Sequence, residues 1–170
     1  MTGPSAAGTA GPGAGGAGRE RFLADAAARG LDVQIVERLA AHSLEEAARI
    51  LGIAPADIVK SLVVKRKDGT FLFALIPGDR QISWPKLRSL VGVNKLSMPA
   101  ADVALEATGY ERGTITPLGS TTAWPVYADK NISGKRISMG AGQHGYSAFV
   151  DADALTAALG AVIADISDPN

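Results

Sequence analysis

Residues 58–76 read IVKSLVVKRKDGTFLFALI, and this stretch decides the fold. Two apolar runs, residues 58–65 and 70–76, flank Asp68-Gly69, a pair that supplies the positive backbone angle a tight turn needs. The stretch therefore predicts a β-hairpin whose strands are apolar on both faces. A hairpin of this kind has to be covered on both sides by the rest of the chain.

Lys60 is the anomaly of the first strand. Its neighbours on the same face, Ile58 and Leu62, are apolar, and burying an ammonium among such groups is costly unless a partner compensates. The lysine therefore either extends its ammonium to solvent or points into a polar cleft that binds a phosphate, a carboxylate or a carbonyl oxygen. The strand pattern leaves both possibilities open.

Helix and strand signals alternate around the hairpin. Helices are predicted where a serine precedes an apolar stripe and a glycine follows it, at residues 43–52, 83–92 and 97–109. A short helix that ends at Gly30, a strand at residues 33–36, strand-like segments after residue 109 and a last short helix complete the pattern. We expect an α+β fold, a mixed β-sheet or partly closed barrel with helices packed outside.

The chain has 170 residues, 46% of them hydrophobic, which is enough for one domain with a sizeable core. Residues 1–18 contain only Gly, Ala, Pro, Ser and Thr after Met1, so we expect a disordered tail followed by a single domain over residues 19–168. No apolar run approaches the roughly 18 residues of a membrane span, and no signal-peptide pattern is present, which favours a cytoplasmic protein without membrane contact.

The residue inventory narrows the possible chemistry. The absence of cysteine excludes disulfides, a thiolate nucleophile and a zinc site built on sulfur, and the presence of only two histidines argues against a histidine-based metal centre. We therefore expect neither a metal nor a cofactor. The net charge is zero, so a nucleic-acid partner would have to meet a local basic patch. The candidate patches are residues 65–67, Lys86 with Arg88, and Lys130 with Lys135 and Arg136.

Two glycine-rich segments could form a site. Residues 140–145, GAGQHG, formally match a dinucleotide fingerprint, but a strand rather than a helix follows, so we expect a tight turn or a loop that a ligand can approach closely. Residues 109–119, GYERGTITPLG, form a loop able to present amide and carbonyl groups. His144 could serve as a general base, although a lone loop histidine is more often structural or exposed.

Five segments in one order resemble the YbaK/prolyl-tRNA synthetase editing-domain family, the free-standing aminoacyl-tRNA deacylases. They are SLEEAARILGIAPADIVKSLVVK, FLFALIPGDRQISWPKLRSLVG, TGYERGTITPLG, VYAD and ISMGAGQHGYSAFV, and the resemblance runs from about Ser43 to Leu155. It implies action on the 3′ end of a mischarged tRNA, where the ester between a wrong amino acid and the terminal ribose is hydrolysed without a metal. Such an ester is already activated, so positioning and oxyanion stabilisation could suffice.

The resemblance also implies the site residues. Lys60 matches the family's key active-site lysine, and Gly113 opens the loop written as a glycine, three residues and a proline, so we expect these two to be catalytic. Lys60 is expected to position a phosphate or the ribose. The expected substrate-binding residues are Thr114, Ile115, Thr116, Pro117, Gly140, Gly142, His144 and Ser147.

Two positions depart from the family's pattern. Ser147 stands where members specialised for cysteinyl-tRNA carry an aspartate, and Gln143-His144 replaces a basic pair, so the edited amino acid and the competence of the site stay open. The expected substrate is tRNA-Pro carrying Cys, Ala or Ser. The alternatives are an inactive module of the same fold that binds a tRNA or a synthetase, and a hydrolase of a small ester or an unusual aminoacyl conjugate.

Overall fold

A computed structural model of the protein describes residues 16–170. Its helices, in chain order, are α1 (Gly16–Ala28), α2 (Leu44–Leu51), α3 (Trp84–Val91), α4 (Ala101–Thr108) and α5 (Ala152–Leu159). Its strands are β1 (Val33–Glu37), β2 (Val59–Arg66), β3 (Phe71–Pro77), β4 (Arg80–Ile82), β5 (Leu96–Ser97), β6 (Val126–Asp129), β7 (Arg136–Gly140), β8 (Tyr146–Asp151), β9 (Val162–Ala164) and β10 (Ser167–Pro169).

The predicted hairpin is present and forms the centre of the largest sheet. Strands β2 and β3 pair antiparallel, with Lys60 opposite Ile76, and Gly69 adopts a φ of 86° in the turn between them. The sheet has the strand order β9-β6-β3-β2-β5, and β6 runs parallel to both of its neighbours. A three-stranded sheet, β1-β8-β7, and a two-stranded pair, β10-β4, complete the α+β architecture.

A single parallel bridge between Ile58 and Ser138 joins the start of β2 to β7, and hence the five-stranded sheet to the three-stranded one. Residues 16–170 form no closed barrel, in agreement with the partly closed arrangement expected from the sequence. The bridge brings the strand that carries Lys60 beside the strand that ends at Gly140.

Both faces of the hairpin are buried, as its apolar strands predict. On one face, Val59, Val63 and Phe73 pack in a core that includes residues of α1 and α5. On the other, Val64 and Leu72 pack in a second core with residues of α3. All seven residues of β3 are buried, which explains why its sequence shows no polar alternation.

The capping signals set most helix ends. The Ser43 hydroxyl accepts a hydrogen bond from the Glu46 amide at 3.0 Å, and the Glu46 carboxylate accepts one from the His42 amide at 2.6 Å. The predicted cap at Ser97 is wrong. Helix α4 begins at Ala101 after an Ala100 that makes no side-chain cap, because Ser97 is held in β5 by its pairing with Lys65.

The N-terminal boundary differs from the one expected. Helix α1 starts at Gly16, so it takes in three residues that composition assigned to a disordered tail; the rest of that segment, residues 1–15, lies outside the described residues. A Cβ added to Gly18 would lie only 2.1 Å from the carbonyl oxygen of Gly142. Helix α1 therefore approaches the backbone of the 140–145 loop as closely as glycine permits. No helix among residues 16–170 has the length and apolar character to cross a membrane.

Candidate functional site

A cavity of about 280 Å³ lies beside the first half of β2. Its walls come from β2, α2, the residues after β5, the 109–119 loop and the facing ends of β7 and β8. Five of the predicted site residues line it: Lys60, Gly113, Ile115, Gly140 and Ser147. The fold thus brings together three segments that are far apart in the sequence.

Lys60 is half-buried, and its ammonium donates a hydrogen bond to the main-chain oxygen of Arg80. Burial lowers the pKa of the Lys60 ammonium below its ordinary value, and the carboxylates of Asp79 and Glu45 act in the opposite direction. The lysine therefore neither extends freely to solvent nor lies unpaired in the core. An ammonium has three donors, so one contact to Arg80 leaves capacity for a ligand in the cavity.

The 109–119 loop divides into a cavity wall and a buried support. Gly113, at a φ of 92°, and Ile115 line the cavity. The buried Thr114 donates from its hydroxyl to the Glu111 oxygen at 2.8 Å, and the buried Thr116 hydroxyl accepts from the Leu118 amide at 3.2 Å. Neither threonine lines the cavity, and nor does the buried Pro117.

Tyr110 holds this loop in place. Its phenol donates to the Leu118 oxygen at 2.7 Å, and the guanidinium of Arg21, from α1, stacks 4.6 Å from the ring centroid. Burial raises the pKa of the Tyr110 phenol to about 12, against an opposing effect of Arg21. The phenol therefore remains a donor at every physiological pH.

The 140–145 loop packs directly against the 109–119 loop. The Gly142 amide donates to the Thr114 oxygen at 3.0 Å, and a Cβ on Gly140 would lie 3.0 Å from the oxygen of Ile115. Gly140 lines the cavity, whereas Gly142 is buried beneath α1 and does not. The segment is the turn between two strands that the sequence predicts.

Ser147 is buried in β8, and its hydroxyl accepts a hydrogen bond from Arg38 Nε at 2.8 Å. Arg38 follows β1, and its amide donates to the Gly145 oxygen at 2.8 Å, which continues the antiparallel register of Val36 opposite Ser147. Arg38 also lines the cavity. A guanidinium therefore stands next to Ser147 in the cavity wall.

His144 lies outside the cavity lining. Its side chain is exposed, and Nε2 lies 3.7 Å from Glu111 Oε1 at the surface. The Cε1 atom is 3.5 Å from the point where a Cβ on Gly113 would stand. The histidine is therefore a rim residue next to the Gly113 loop, and Glu111 is a carboxylate partner that the sequence did not reveal.

Sequence reasoning missed several cavity residues. Ser61 lies on β2, and its buried hydroxyl oxygen has no hydrogen-bond partner among residues 16–170. A polar residue on an otherwise apolar strand face is the same signal that singled out Lys60, so Ser61 could have been found. Arg38 and Tyr146 gave no such signal, because the pairing of β1 with β8 brings them to the cavity.

No group of three or more His, Asp or Glu side chains suited to a metal ion occurs within residues 16–170. The polar groups that line the cavity are one lysine, two arginines, three serine hydroxyls, the Tyr146 phenol and main-chain amides and carbonyls. The apolar part of the lining includes Ala47, Leu51, Met98 and Pro99. Such a site can hold a small group by hydrogen bonds and positive charge.

The chain belongs to the aminoacyl-tRNA editing domain family, which it matches over residues 39–158. It is 32% identical over 98 residues to a proline–tRNA ligase of Bacillus licheniformis, covering 58% of this chain and 17% of the ligase. It is 40% identical over 79 residues to the proline–tRNA ligase of Thermosipho africanus, covering 46% of this chain and 14% of that enzyme. The chain thus spans less than a fifth of these relatives.

The fold is also similar to a crystal structure described as a candidate trans-editing enzyme for prolyl tRNA synthetase. The TM-score is 0.82 with 27% sequence identity, and the match covers 89% of this chain and 98% of that one. This protein matches nearly the whole of that chain, whereas it matches less than a fifth of each ligase. The family resemblance inferred from the sequence is confirmed.

Proposed function

We propose that the protein is an aminoacyl-tRNA deacylase that acts in trans, in the cytoplasm, on tRNA-Pro carrying a wrong small amino acid. The observation that carries this proposal is the convergence of Lys60, the Gly113 loop and the Gly140 loop on one small cavity. A volume of about 280 Å³ suits a single amino-acid group. Cys, Ala and Ser are the candidate residues, and no metal or cofactor takes part.

The proposed reaction is the hydrolysis of an ester. A water molecule adds to the ester carbonyl carbon, the bond from that carbon to the ribose oxygen breaks, and the ribose oxygen takes up a proton, so that the products are a free amino acid and an uncharged tRNA. Lys60 holds the terminal ribose or its phosphate by charge and hydrogen bonding. Among residues 16–170 the Gly113 amide donates no hydrogen bond, so it is available to the oxyanion that develops.

The remaining predicted residues divide by what they do for this reaction. Ile115, Gly140 and Ser147 are proposed to contact the aminoacyl group, since they line the cavity. Four residues that do not line the cavity are proposed to hold the two glycine loops in place: Thr114, Thr116, Pro117 and Gly142. The exposed His144 is proposed to contact the tRNA at the rim of the cavity. Association with a prolyl-tRNA synthetase is part of the same proposal, and the similarity to the relatives named above supports it.

The test is a panel of tRNA-Pro charged with alanine, serine, cysteine or proline and incubated with the protein. We expect release of at least one non-cognate amino acid above the spontaneous rate and little release of proline. A panel in which none is released would refute the deacylase. Activity that is indifferent to the tRNA body would instead indicate a hydrolase of small esters.

A second function, a binding module without turnover, is favoured by one observation. Ser147 takes the place of the aspartate expected in cysteinyl-specific members, and its hydroxyl accepts a hydrogen bond from the Arg38 guanidinium, so the cavity wall lacks that carboxylate and carries a positive charge beside the position. Under this alternative the protein binds charged tRNA or a synthetase and protects or delivers the ester. Tight binding of alanyl-, seryl- and cysteinyl-tRNA-Pro without acceleration of hydrolysis would support it.

A further inference from the structure

A second groove, of about 330 Å³, lies at the far end of β2, around the turn of the hairpin. Arg66, Lys67 and Lys95 line it, and Lys65 precedes them in the strand. The pairing of Arg66 with Leu96 places Lys95 beside the end of β2. Two segments nearly thirty residues apart thus contribute to one cluster of cations, which we name the basic groove.

The charges of the basic groove are not neutralised within the described part of the chain. Lys65, Lys67 and Lys95 are exposed, and no ion pair within 4.0 Å involves them or Arg66 among residues 16–170. Each of the other two basic patches contains a lysine that is paired with a carboxylate. Lys86 lies 3.1 Å from two carboxylates, and Lys135 lies 3.6 Å from the carboxylate of Asp57.

Among residues 16–170, Asp68 is the only acidic residue that lines the basic groove. Its Oδ1 accepts hydrogen bonds from the Thr70 amide at 2.9 Å and the Thr70 hydroxyl at 2.6 Å. These bonds lower the pKa of the Asp68 carboxyl, with a smaller contribution from Arg66. The Asp68 carboxylate therefore forms hydrogen bonds within the turn, and the basic groove keeps an excess of positive charge.

The basic groove and the cavity lie along the same edge of the sheet. Strand β3 occupies one side of β2, and β5 pairs with the other side near the basic groove. Met98 and Pro99, which directly follow β5, line the cavity, so the groove and the cavity share that second side. Arg66 lies six positions after Lys60 in the strand, which corresponds to about 20 Å at about 3.3 Å per residue. Nucleotides stacked at about 3.4 Å cover that distance in roughly six steps, so a tRNA with its terminal ribose at Lys60 has the first pairs of its acceptor stem at this distance.

We propose that the basic groove binds the phosphate backbone of the tRNA acceptor stem, where the single-stranded 3′ end meets the first base pairs. This inference rests on the proposed function, since it assumes that the terminal ribose enters the cavity. Arg66 offers a planar fork for a phosphate, and the lysines offer flexible point charges. Contacts of this kind are independent of base sequence and weaken with salt.

The experiment compares the salt dependence of tRNA-Pro binding for three full-length proteins. They are the wild type, a groove variant with Arg66→Gln, Lys67→Gln and Lys95→Gln, and a control with the same change in charge at cations that are paired with carboxylates, Arg29→Gln, Lys86→Gln and Lys135→Gln. Each phosphate contact adds about 0.7 to 0.9 to the slope of log affinity against log salt. We expect the slope of the groove variant to be smaller by about 2 units, and that of the control to stay within about 0.5 of the wild type.

Deacylation of two substrates separates this inference from the proposed function. One is a mischarged acceptor-stem minihelix, and the other is a short aminoacylated 3′ oligonucleotide that cannot reach the basic groove. We expect the groove variant to lose about ten-fold in kcat/KM on the minihelix and nothing on the short substrate. If the wild type hydrolyses neither substrate, the proposed deacylase function is refuted. The salt dependence of tRNA binding can still be compared among the three proteins, so the inference about the basic groove is tested in either case.

Equal slopes for the groove variant and the control would overturn the inference. So would a groove variant that binds tRNA like the wild type but loses affinity for a prolyl-tRNA synthetase, since the basic groove would then recognise a protein. Circular dichroism and thermal melting of all three proteins check that each is folded before binding is measured.

Discussion

Gly140→Ala tests whether the contact between the two glycine loops sets the geometry of the cavity. The added Cβ would lie 3.0 Å from the Ile115 oxygen and 3.3 Å from the Thr114 oxygen, whereas ordinary contact begins at 3.4 Å. Gly140 has no positive φ, so the backbone itself tolerates alanine. The Gly113 loop therefore has to retreat by about 0.4 Å, the difference between 3.4 and 3.0 Å.

The size of the effect follows from that displacement. A misplacement of about 1 Å costs on the order of 100-fold in rate, so about 0.4 Å corresponds to roughly a six-fold loss in kcat. Overpacking of this kind costs about 1 kcal/mol of folding stability, or a melting temperature lower by about 2 to 4 °C. The protein stays folded, and the loss appears in single-turnover deacylation at saturating protein.

The matched control is Gly16→Ala, in which the new Cβ meets no atom within 4 Å and the backbone has no positive φ. We expect its rate to equal that of the wild type. A Gly140→Ala protein that deacylates at the wild-type rate would show that the loop carrying Gly113 does not depend on this contact.

Two further changes test the cavity wall and its support. Ser61→Ala removes a buried hydroxyl that has no partner among residues 16–170, so stability should be unchanged or higher by up to about 1 kcal/mol. If the hydroxyl binds the aminoacyl group, KM rises about five-fold or more in a deacylation assay, and an unchanged KM would exclude that contact. Tyr110→Phe leaves the Leu118 oxygen without its donor and should cost about 1 to 3 kcal/mol in urea unfolding at pH 8. The pKa of the Tyr110 phenol is about 12 in the folded protein and 10.0 in the unfolded chain, so the wild type loses stability as the pH rises through this range. The difference in unfolding free energy between the wild type and Tyr110→Phe should therefore be smaller at pH 11 than at pH 8. A difference that does not change with pH would contradict the role given to the phenol.

The sequence was most informative where the signal is local. The Asp68-Gly69 turn, the caps at Ser43 and Ser83 and the turn at residues 140–145 all appear where their residues predict them. These features depend on backbone angles and on contacts a few residues apart. Ser97 was misjudged because strand pairing with Lys65 outweighs a local capping signal.

The site was only partly predictable for the same reason. Lys60 was singled out as a polar residue on an apolar strand face and then by the resemblance to known motifs, whereas Gly113 came from the resemblance alone. Ser61 is also a polar residue on an apolar strand face and could have been predicted in the same way. Arg38 reaches the cavity through the register of two strands more than a hundred residues apart, which no local pattern encodes. The buried orientation of Thr114 likewise follows from how its loop packs, and a loop sequence alone does not reveal which side chains face the ligand.

Lys60 is proposed to serve the hydrolysis of an aminoacyl-tRNA ester in the cavity. The most direct measurement is the single-turnover rate on the most rapidly hydrolysed mischarged tRNA-Pro, for the wild type, Lys60→Ala and a control at an exposed lysine, Lys130→Ala. We expect a loss of about 100-fold or more for Lys60→Ala, at unchanged fold, and no loss for Lys130→Ala. A Lys60→Ala protein that releases the amino acid as fast as the wild type would contradict it.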